Sequence, residues 1–234
     1  KQDMEENFIL PRIQEEHTVD AMIVMGEISR EYIHFMKKHT DVPVIFLDFY
    51  DKELAKDAVI ADNFYGMYLM TGYLFEQGFT KMAYVGSIHA TSSIMDRYCG
   101  FYKAQLEHGQ VLPEEWLIED RDEKGYMDIK LPQHMPEAFV CNCDLAAGML
   151  IQELEKQGYR VPEDISVVGF DNYLYPGVTD KNITSYEVNI QVMVKVALEK
   201  ALKQIKNPDS GRGLSIVSGK IVEKESVQKI CRES

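Results

Sequence analysis

Polar residues that could bind a small ligand follow apolar segments of strand length at several points in this sequence. Asp48, Asp144 and Asp171 offer carboxylates, which accept hydrogen bonds from hydroxyl and N–H groups, while Ser87 offers a hydroxyl and Cys143 a weakly polar thiol. Each lies within three residues of the end of an apolar run, and those runs are Val44–Leu47, Met82–Val85, Ala138–Cys141 and Ile165–Phe170. The pattern predicts a binding site for a polar small molecule at the ends of strands.

The elements that must position these residues form a repeating series. A further apolar run, Ala21–Met25, ends at Gly26, and helix-like stretches separate the five runs. Continuous apolar strands that alternate with helices indicate parallel sheets covered by helices on both faces. Because ligands of such sheets bind at the carboxyl ends of the strands, we predict an α/β fold with the polar residues at its binding edge.

The strands fall into two βα series, which we interpret as two lobes joined by several crossings. The N-terminal lobe is predicted to span residues 1–62 and 187–213, and the C-terminal lobe residues 63–186 and 214–234. Phe8, Ile9 and Ile13 stand at helical spacing, so residues 5–16 are predicted to end an amphipathic helix. We expect the first strand and helix of the N-terminal lobe to be absent from this chain.

Composition limits the class of protein. The chain has 234 residues, 45% of them hydrophobic, which is enough for one large core or two smaller ones. No apolar run approaches the ~18 residues of a membrane-spanning helix, and the polar start Lys1–Asn7 does not resemble a secretory leader. The formal net charge of −13 works against nucleic-acid binding through this surface. We therefore expect a cytoplasmic protein whose DNA contacts, if any, lie outside these residues.

Motifs for metal binding and catalysis are not found in the sequence. Cys141 and Cys143 have no second cysteine pair or nearby histidine to complete a metal site, and four cysteines do not indicate a disulfide framework at this length. No Gly-x-Gly-x-x-Gly follows a strand, no phosphate-binding loop motif occurs, and no Ser or Cys nucleophile stands near a histidine partner. We predict no metal, no cofactor and no enzymatic activity.

Several motifs resemble the lactose/galactose repressor (LacI/GalR) family of bacterial transcription regulators. Residues 158–172, which read Gly-Tyr-Arg-Val-Pro-Glu-Asp-Ile-Ser-Val-Val-Gly-Phe-Asp-Asn, are similar to the family signature. The likeness continues through residues 182–186 and the closing stretch 219–227. Upstream, residues 74–86 are similar to the Leu-to-Gly segment of the family, with Phe79 in place of the frequent histidine, and residues 97–104 match its Arg-x-x-Gly-Tyr-x-x-Ala motif.

The resemblance implies a fold, a role and a set of ligand contacts. The fold would be the two-lobed, periplasmic-binding-protein-like architecture, acting as an effector-binding core that forms a homodimer and reaches operator DNA through an upstream helix-turn-helix head. Asp48, Arg97 and Asp171 match positions that contact the effector, and we add Ser87, in the loop toward which Arg97 points. Together with Asp144 these residues suit a sugar or another neutral or cationic polar ligand.

Two places depart from the family pattern. Cys143 and Asp144 stand where members commonly carry Asn-Asp, so Cys143 weakens one hydroxyl-reading contact, and Asp144 is expected to be a helix N-cap facing the cleft. Residues 120–121 stand where some sugar-binding members place a stacking aromatic ring.

Other interpretations remain open at this point. Asp48 and Asp171 could be ordinary loop-capping residues, and Arg97 could serve an ion pair with Asp96 or Asp171. A free periplasmic solute-binding protein shares the same architecture. The identity of the effector, the direction of its effect on DNA binding, the operator and the choice between dimer and tetramer are not specified. The central hypothesis is that Asp48, Arg97 and Asp171 converge on one crevice between the lobes.

Overall fold

The computed structural model describes residues 2–12, 16, 19–26, 28–39, 41–51, 57–208, 210 and 213–230. Within these residues the helices are α1 Gln2–Glu6, α2 Arg30–Lys38, α3 Asn63–Glu76, α4 Ser92–Glu107, α5 Asp144–Lys156 and α6 Ile190–Lys206. The strands are β1 Met22–Met25, β2 Val44–Leu47, β3 Asp57–Ala61, β4 Met82–Val85, β5 Leu117–Ile118, β6 Ala138–Cys141, β7 Ser166–Asp171, β8 Thr184–Glu187, β9 Gly213–Val217 and β10 Lys220–Val222.

The chain divides into two compact units. One contains residues 1–61 and 189–217, and the other residues 62–188 and 218–234. The lobe boundaries drawn from the sequence stay a prediction. The predicted N-terminal amphipathic helix falls partly outside the described residues, because Ile13 is not among them, and α1 ends at Glu6.

The first unit is built on a parallel sheet with the strand order β1-β2-β3-β9. On one face, Tyr32, Ile33 and Met36 of α2 pack against Phe46 of β2 and Ala58 of β3. The helix begins after Ser29, whose hydroxyl accepts a hydrogen bond from the Tyr32 backbone N–H. Burial of this apolar face is what holds α2 on the sheet.

A buried carboxylate joins three elements of the first unit. Asp57, at the start of β3, is 3% exposed. It accepts hydrogen bonds from the Lys200 ammonium group of α6 at 3.3 Å, from the Gly213 N–H of β9 at 3.1 Å and from the Gln204 amide. Because a buried charge is costly unless it is paired, these partners fix the register of β3 against β9 and α6.

The second unit contains a sheet with the order β10-β8-β7-β6-β4-β5, which is parallel except for the antiparallel β10. Its strands β4, β6 and β7 are buried on both faces between two apolar clusters. One cluster centres on Leu150 and Leu154 of α5, and the other on Met67 and Met70 of α3 with Phe101 of α4. This confirms the α/β fold with parallel sheets that the apolar runs predict.

The C-terminal stretch locks the sheet of the second unit. Ser226 is fully buried, and its hydroxyl donates to the Val167 carbonyl oxygen at 2.6 Å and accepts from the Thr184 N–H at 2.8 Å. The Ser226 carbonyl in turn accepts from the Val167 N–H at 2.9 Å. The side chain thus satisfies backbone groups of β7 and β8 that would otherwise be buried without partners.

Candidate functional site

Polar side chains collect at the carboxyl edge of the sheet in the second unit. Ser87 follows β4, Asp120 follows β5, Cys143 and Asp144 follow β6, and Asp171 ends β7. Since these strands are parallel neighbours, their carboxyl ends open onto the same edge. All the predicted site residues of this unit therefore lie at that edge, together with Arg97 in the first turns of α4.

Arg97 is the centre of a buried polar network. Its Nε donates to Asn63 Oδ1 at 2.8 Å, its Nη1 to the Asn142 carbonyl oxygen at 2.7 Å, and its Nη2 to Asp171 Oδ1 at 3.3 Å. The guanidinium carbon also lies 4.0 Å from the centre of the Phe170 ring. The ion pair considered from the sequence is thus present, and it orients the Asp171 carboxylate at the end of β7.

Asp171 holds an accessible carboxylate on a constrained backbone. Its side chain is 30% exposed, against 8% for its ion-pair partner Arg97. Its φ is 100°, a left-handed conformation that costs most non-glycine residues energy, and Asn172 follows at φ 54°. The turn is held by the Asn172 N–H, which donates to the Ser185 hydroxyl at 3.0 Å. The strained turn therefore presents a paired but reachable acceptor.

Asp144 has a different electrostatic character. Burial raises the pKa of its carboxyl to about 7, even though hydrogen bonds from the Ser185 hydroxyl and the Tyr173 N–H, both 2.7 Å long, favour the charged form. Gly169 of β7 makes room for it, since a Cβ atom there would lie 2.0 Å from Asp144 Oδ1. This carboxyl therefore takes up a proton at a much higher pH than an ordinary aspartate.

The expectation that Asp144 is the N-cap of α5 was wrong. The N-cap is Cys143, which makes no side-chain capping hydrogen bond, and Asp144 is the first helical residue with its carboxyl bound to Ser185 and Tyr173. Burial raises the pKa of the Cys143 thiol to about 11 and that of the Cys141 thiol well above its usual value, whereas Cys99 is exposed. In the described part of the chain, no three His, Cys, Asp or Glu side chains are placed to hold a metal ion.

A second buried carboxylate, that of Asp120, holds the loops of this edge in place. Asp120 is fully buried, yet bonds from the Arg121 guanidinium, the Ser87 N–H and the Asn142 amide outweigh its desolvation and lower its pKa to about 2. Arg121 binds it through two bonds of 2.9 Å, and the Asn142 amide donates at 2.7 Å. Asp120 thereby fixes the loops after β4 and β6, so its role is to position Ser87 and Asn142.

Asp48 belongs to the first unit. It follows β2, its side chain is exposed, its φ is 69°, and its backbone N–H donates to the Val59 carbonyl oxygen at 2.8 Å. Because Arg97 and Asp171 belong to the second unit, the convergence of these three side chains on one crevice stays a prediction.

Sequence reasoning missed the amide residues of the site. Asn63 and Asn142 both contact Arg97, and both come directly after or close to the end of a buried strand, which is the signal that could have identified them. Asn63 is 2% exposed, and its Nδ2 has no hydrogen-bond partner among the described residues. A buried donor without a protein partner is uncommon, and it leaves Asn63 Nδ2 able to donate to a water molecule or a bound ligand.

Comparisons with known proteins agree on one architecture. A family model described as periplasmic binding protein-like domain matches residues 71–227. The HTH-type transcriptional repressor PurR of Vibrio vulnificus is 29% identical over 225 residues, covering 94% of this chain and 67% of that protein. No helix of the described residues is both long and apolar enough to cross a membrane.

Solved structures show the same fold at low identity. The transcription regulator CcpA of Lactococcus lactis aligns with a TM-score of 0.79 at 20% identity, over 97% of this chain and 84% of that one. A LacI family regulator from Enterococcus faecium, solved with bound ribose, aligns with a TM-score of 0.76 at 21% identity, over 98% and 86%.

Proposed function

The chain belongs to the periplasmic-binding-protein-like domain family, as the effector-binding core of a LacI/GalR-type transcription regulator, and we propose that it binds a small polar effector at the carboxyl edge formed by Arg97, Asp144 and Asp171. Binding there would change the affinity of the protein for operator DNA. The relatives are regulators, which does not favour the alternative of a free periplasmic solute-binding protein.

The observation that carries this proposal is the Arg97–Asp171 pair. A guanidinium that is almost fully buried aims a partly exposed carboxylate outward, and preorganised groups of this kind lose little entropy when a ligand binds. The Asp171 carboxylate accepts from ligand hydroxyl or N–H groups, and the Asn63 Nδ2 offers a donor.

The effector that fits these groups is a sugar or another polyol. Its hydroxyls both donate and accept, which matches the acceptor at Asp171 and the carboxyl of Asp144, whose pKa burial raises. The nearby cations Arg97 and Arg121 are each paired to a carboxylate, which disfavours phosphate. A structural relative with bound ribose supports the same class.

The site is linked to a surface suited to a second subunit. The Tyr173 N–H donates a hydrogen bond to the Asp144 carboxyl. Tyr173 itself is 57% exposed, and the next residue, Leu174, is 63% exposed. Exposed apolar side chains that are adjacent can be covered by a second subunit. We propose that this segment contributes to a homodimer, so that effector binding at Asp144 changes the interface and, through a DNA-binding head outside these residues, the operator affinity.

A ligand screen on the full-length protein tests the proposal. Sugars are added during thermal unfolding, and a binder present at a hundredfold excess over its Kd should stabilise the protein by about 2.7 kcal/mol. Asp171→Asn should raise the Kd of that binder at least tenfold, because an amide lacks the anionic acceptor. Asparagine tolerates the left-handed backbone at this position, so the turn should keep its conformation. The matched control is Asp180→Asn, which removes an exposed carboxylate that takes no part in the hydrogen bonds of Arg97 or Asp144.

Two outcomes would contradict the proposal. Equal loss of binding in Asp180→Asn and Asp171→Asn would mean that charge alone, and no contact at the edge, governs binding. An effector that binds without changing operator affinity in a DNA titration would refute the regulatory coupling, which is expected to be about 1–3 kcal/mol. Cytoplasmic localisation is part of the same proposal, since operator DNA lies there.

A further inference from the structure

A groove away from the carboxyl edge lies between α3, α4 and β10 of the second unit. It has a volume of about 490 Å³ and is lined by Tyr68, Gly72, Tyr73, Glu76, His108 and Glu223, among others. The volume is in the range of small-molecule sites. None of these residues takes part in the Arg97 network.

Gly72 leaves one wall of this groove open. It lies in the middle of α3, where glycine lowers helix stability relative to alanine. The other helical glycines of this unit are explained by close packing: a Cβ at Gly66 would meet the Tyr186 ring at 2.6 Å, and one at Gly100 would meet the Phe64 carbonyl oxygen at 2.0 Å. A Cβ at Gly72 would meet nothing within 4 Å. The packing of the described residues therefore does not require glycine here, whereas an occupant of the groove would.

The walls of the groove combine tyrosine rings with carboxylates. The Tyr73 hydroxyl donates to Glu223 at 3.2 Å, and burial with the neighbouring carboxylate raises its pKa to about 12. The Tyr68 hydroxyl donates to Glu107 at 2.7 Å, and Lys103 Nζ lies 4.7 Å from the centre of the Tyr68 ring. The protein thus already places one ammonium group over a ring of this wall.

Helix geometry adds to the negative potential. Glu76 is the last residue of α3, and His108 is the C-cap of α4, so the groove lies at the C-terminal ends of two helices. The aligned peptide dipoles of a helix make its C-terminal end partially negative, which favours cations. The ring faces, the carboxylates of Glu76 and Glu223 and the two helix ends are all negative, and the Lys103 ammonium group over the Tyr68 ring is a positive group beside them.

From these features we propose that the groove binds an organic ammonium ion of the polyamine class. The methylene chain of such a ligand packs along the tyrosine rings and against the open face of Gly72, and its ammonium groups bind the carboxylates of Glu76 and Glu223. The site is separate from the effector site, so it does not depend on the proposed function.

Calorimetric titration of the full-length protein with spermidine tests the inference. The unsubstituted protein should bind one spermidine in this groove. Gly72→Leu should weaken binding at least tenfold, because the new side chain fills the groove while a good helix former replaces glycine. Glu76→Gln and Glu223→Gln should each weaken binding about threefold to tenfold, because each removes a carboxylate that binds an ammonium group. At position 223, glutamine can still accept the hydrogen bond from the Tyr73 hydroxyl.

The control separates a site from general attraction to an acidic protein. Glu155→Gln removes one charge from an exposed position on α5 and should leave the affinity within twofold. The proposal is overturned if Glu155→Gln weakens binding as much as Glu76→Gln, if Gly72→Leu binds like the unsubstituted protein while remaining folded, or if spermidine shows no binding at millimolar concentration.

Discussion

The buried carboxyl of Asp144 should make the stability of the second unit depend on pH in an unusual direction. Its pKa is raised by burial from 3.8 to about 7 in the folded protein. Between these two values the folded chain holds the proton and the unfolded chain releases it, so stability falls as pH rises through this window and levels off above pH 7. An ordinary ion-paired carboxylate does the opposite.

The magnitude follows from the size of the shift. One pKa unit corresponds to about 1.4 kcal/mol, and integration between pH 5 and pH 8 gives a loss of about 2.5 kcal/mol in the free energy of unfolding. Asp144→Asn removes this dependence, because an amide does not titrate. Its oxygen still accepts from the Tyr173 N–H, and its NH₂ group faces the Ser185 hydroxyl.

Urea unfolding followed by tryptophan fluorescence measures the difference. Trp116 is the one tryptophan of the sequence, it belongs to the second unit, and its indole N–H donates to the His134 carbonyl oxygen at 2.8 Å. Between pH 5 and pH 8 the unsubstituted protein should lose about 2.5 kcal/mol more than Asp144→Asn, and the exposed control Asp180→Asn should follow the unsubstituted protein. The reasoning would be refuted if the free energy of unfolding changed with pH equally in the unsubstituted protein and in Asp144→Asn, to within about 0.5 kcal/mol.

Three further substitutions probe the packing. Gly169→Ala should destabilise the second unit by about 2 kcal/mol or more, because the new Cβ would collide with Asp144 Oδ1, and the same fluorescence assay measures this. Ser226→Ala should cost about 1–3 kcal/mol in that assay, since it leaves the Thr184 N–H buried without an acceptor, and a cost below 0.5 kcal/mol would contradict this role. Asp57→Ala should increase hydrogen exchange of the β3 amides by about a hundredfold (roughly 3 kcal/mol), because Asp57 joins β3, α6 and β9, and unchanged exchange would exclude that function.

Much of the fold could be predicted because buried parallel strands are continuous apolar runs. All five runs recognised in the sequence are strands. Strand β3 was not predicted, although its residues Ala58–Ala61 form a further apolar run of strand length. Strand β8 consists of Thr184, Ser185, Tyr186 and Glu187, and it was missed because its polar groups are satisfied by tertiary partners that are distant in sequence, which no local pattern reveals.

The site was predictable in part for similar reasons. The polar residues after strand ends were found from their position, but the pairing of Arg97 with Asp171 joins residues 74 apart, and the sequence offered it only as one alternative beside an ion pair with Asp96. The roles of Asn63 and Asn142 depend on which way an amide points, and an asparagine after a strand is most often an ordinary turn residue. The prediction that Asp144 is the N-cap of α5 was wrong because its carboxyl accepts hydrogen bonds from Ser185 and Tyr173 instead.

The difference in burial among the thiols allows one cysteine to be labelled selectively. Cys141 is fully buried, and the raised pKa values of Cys141 and Cys143 keep both as unreactive thiols at neutral pH, whereas Cys99 is exposed on α4 two residues after Arg97. With Cys231 replaced by serine, a maleimide dye should therefore attach to Cys99 alone. A fluorophore would then stand on the same helix as the central arginine without any introduced cysteine, ready to report effector arrival as a change in emission.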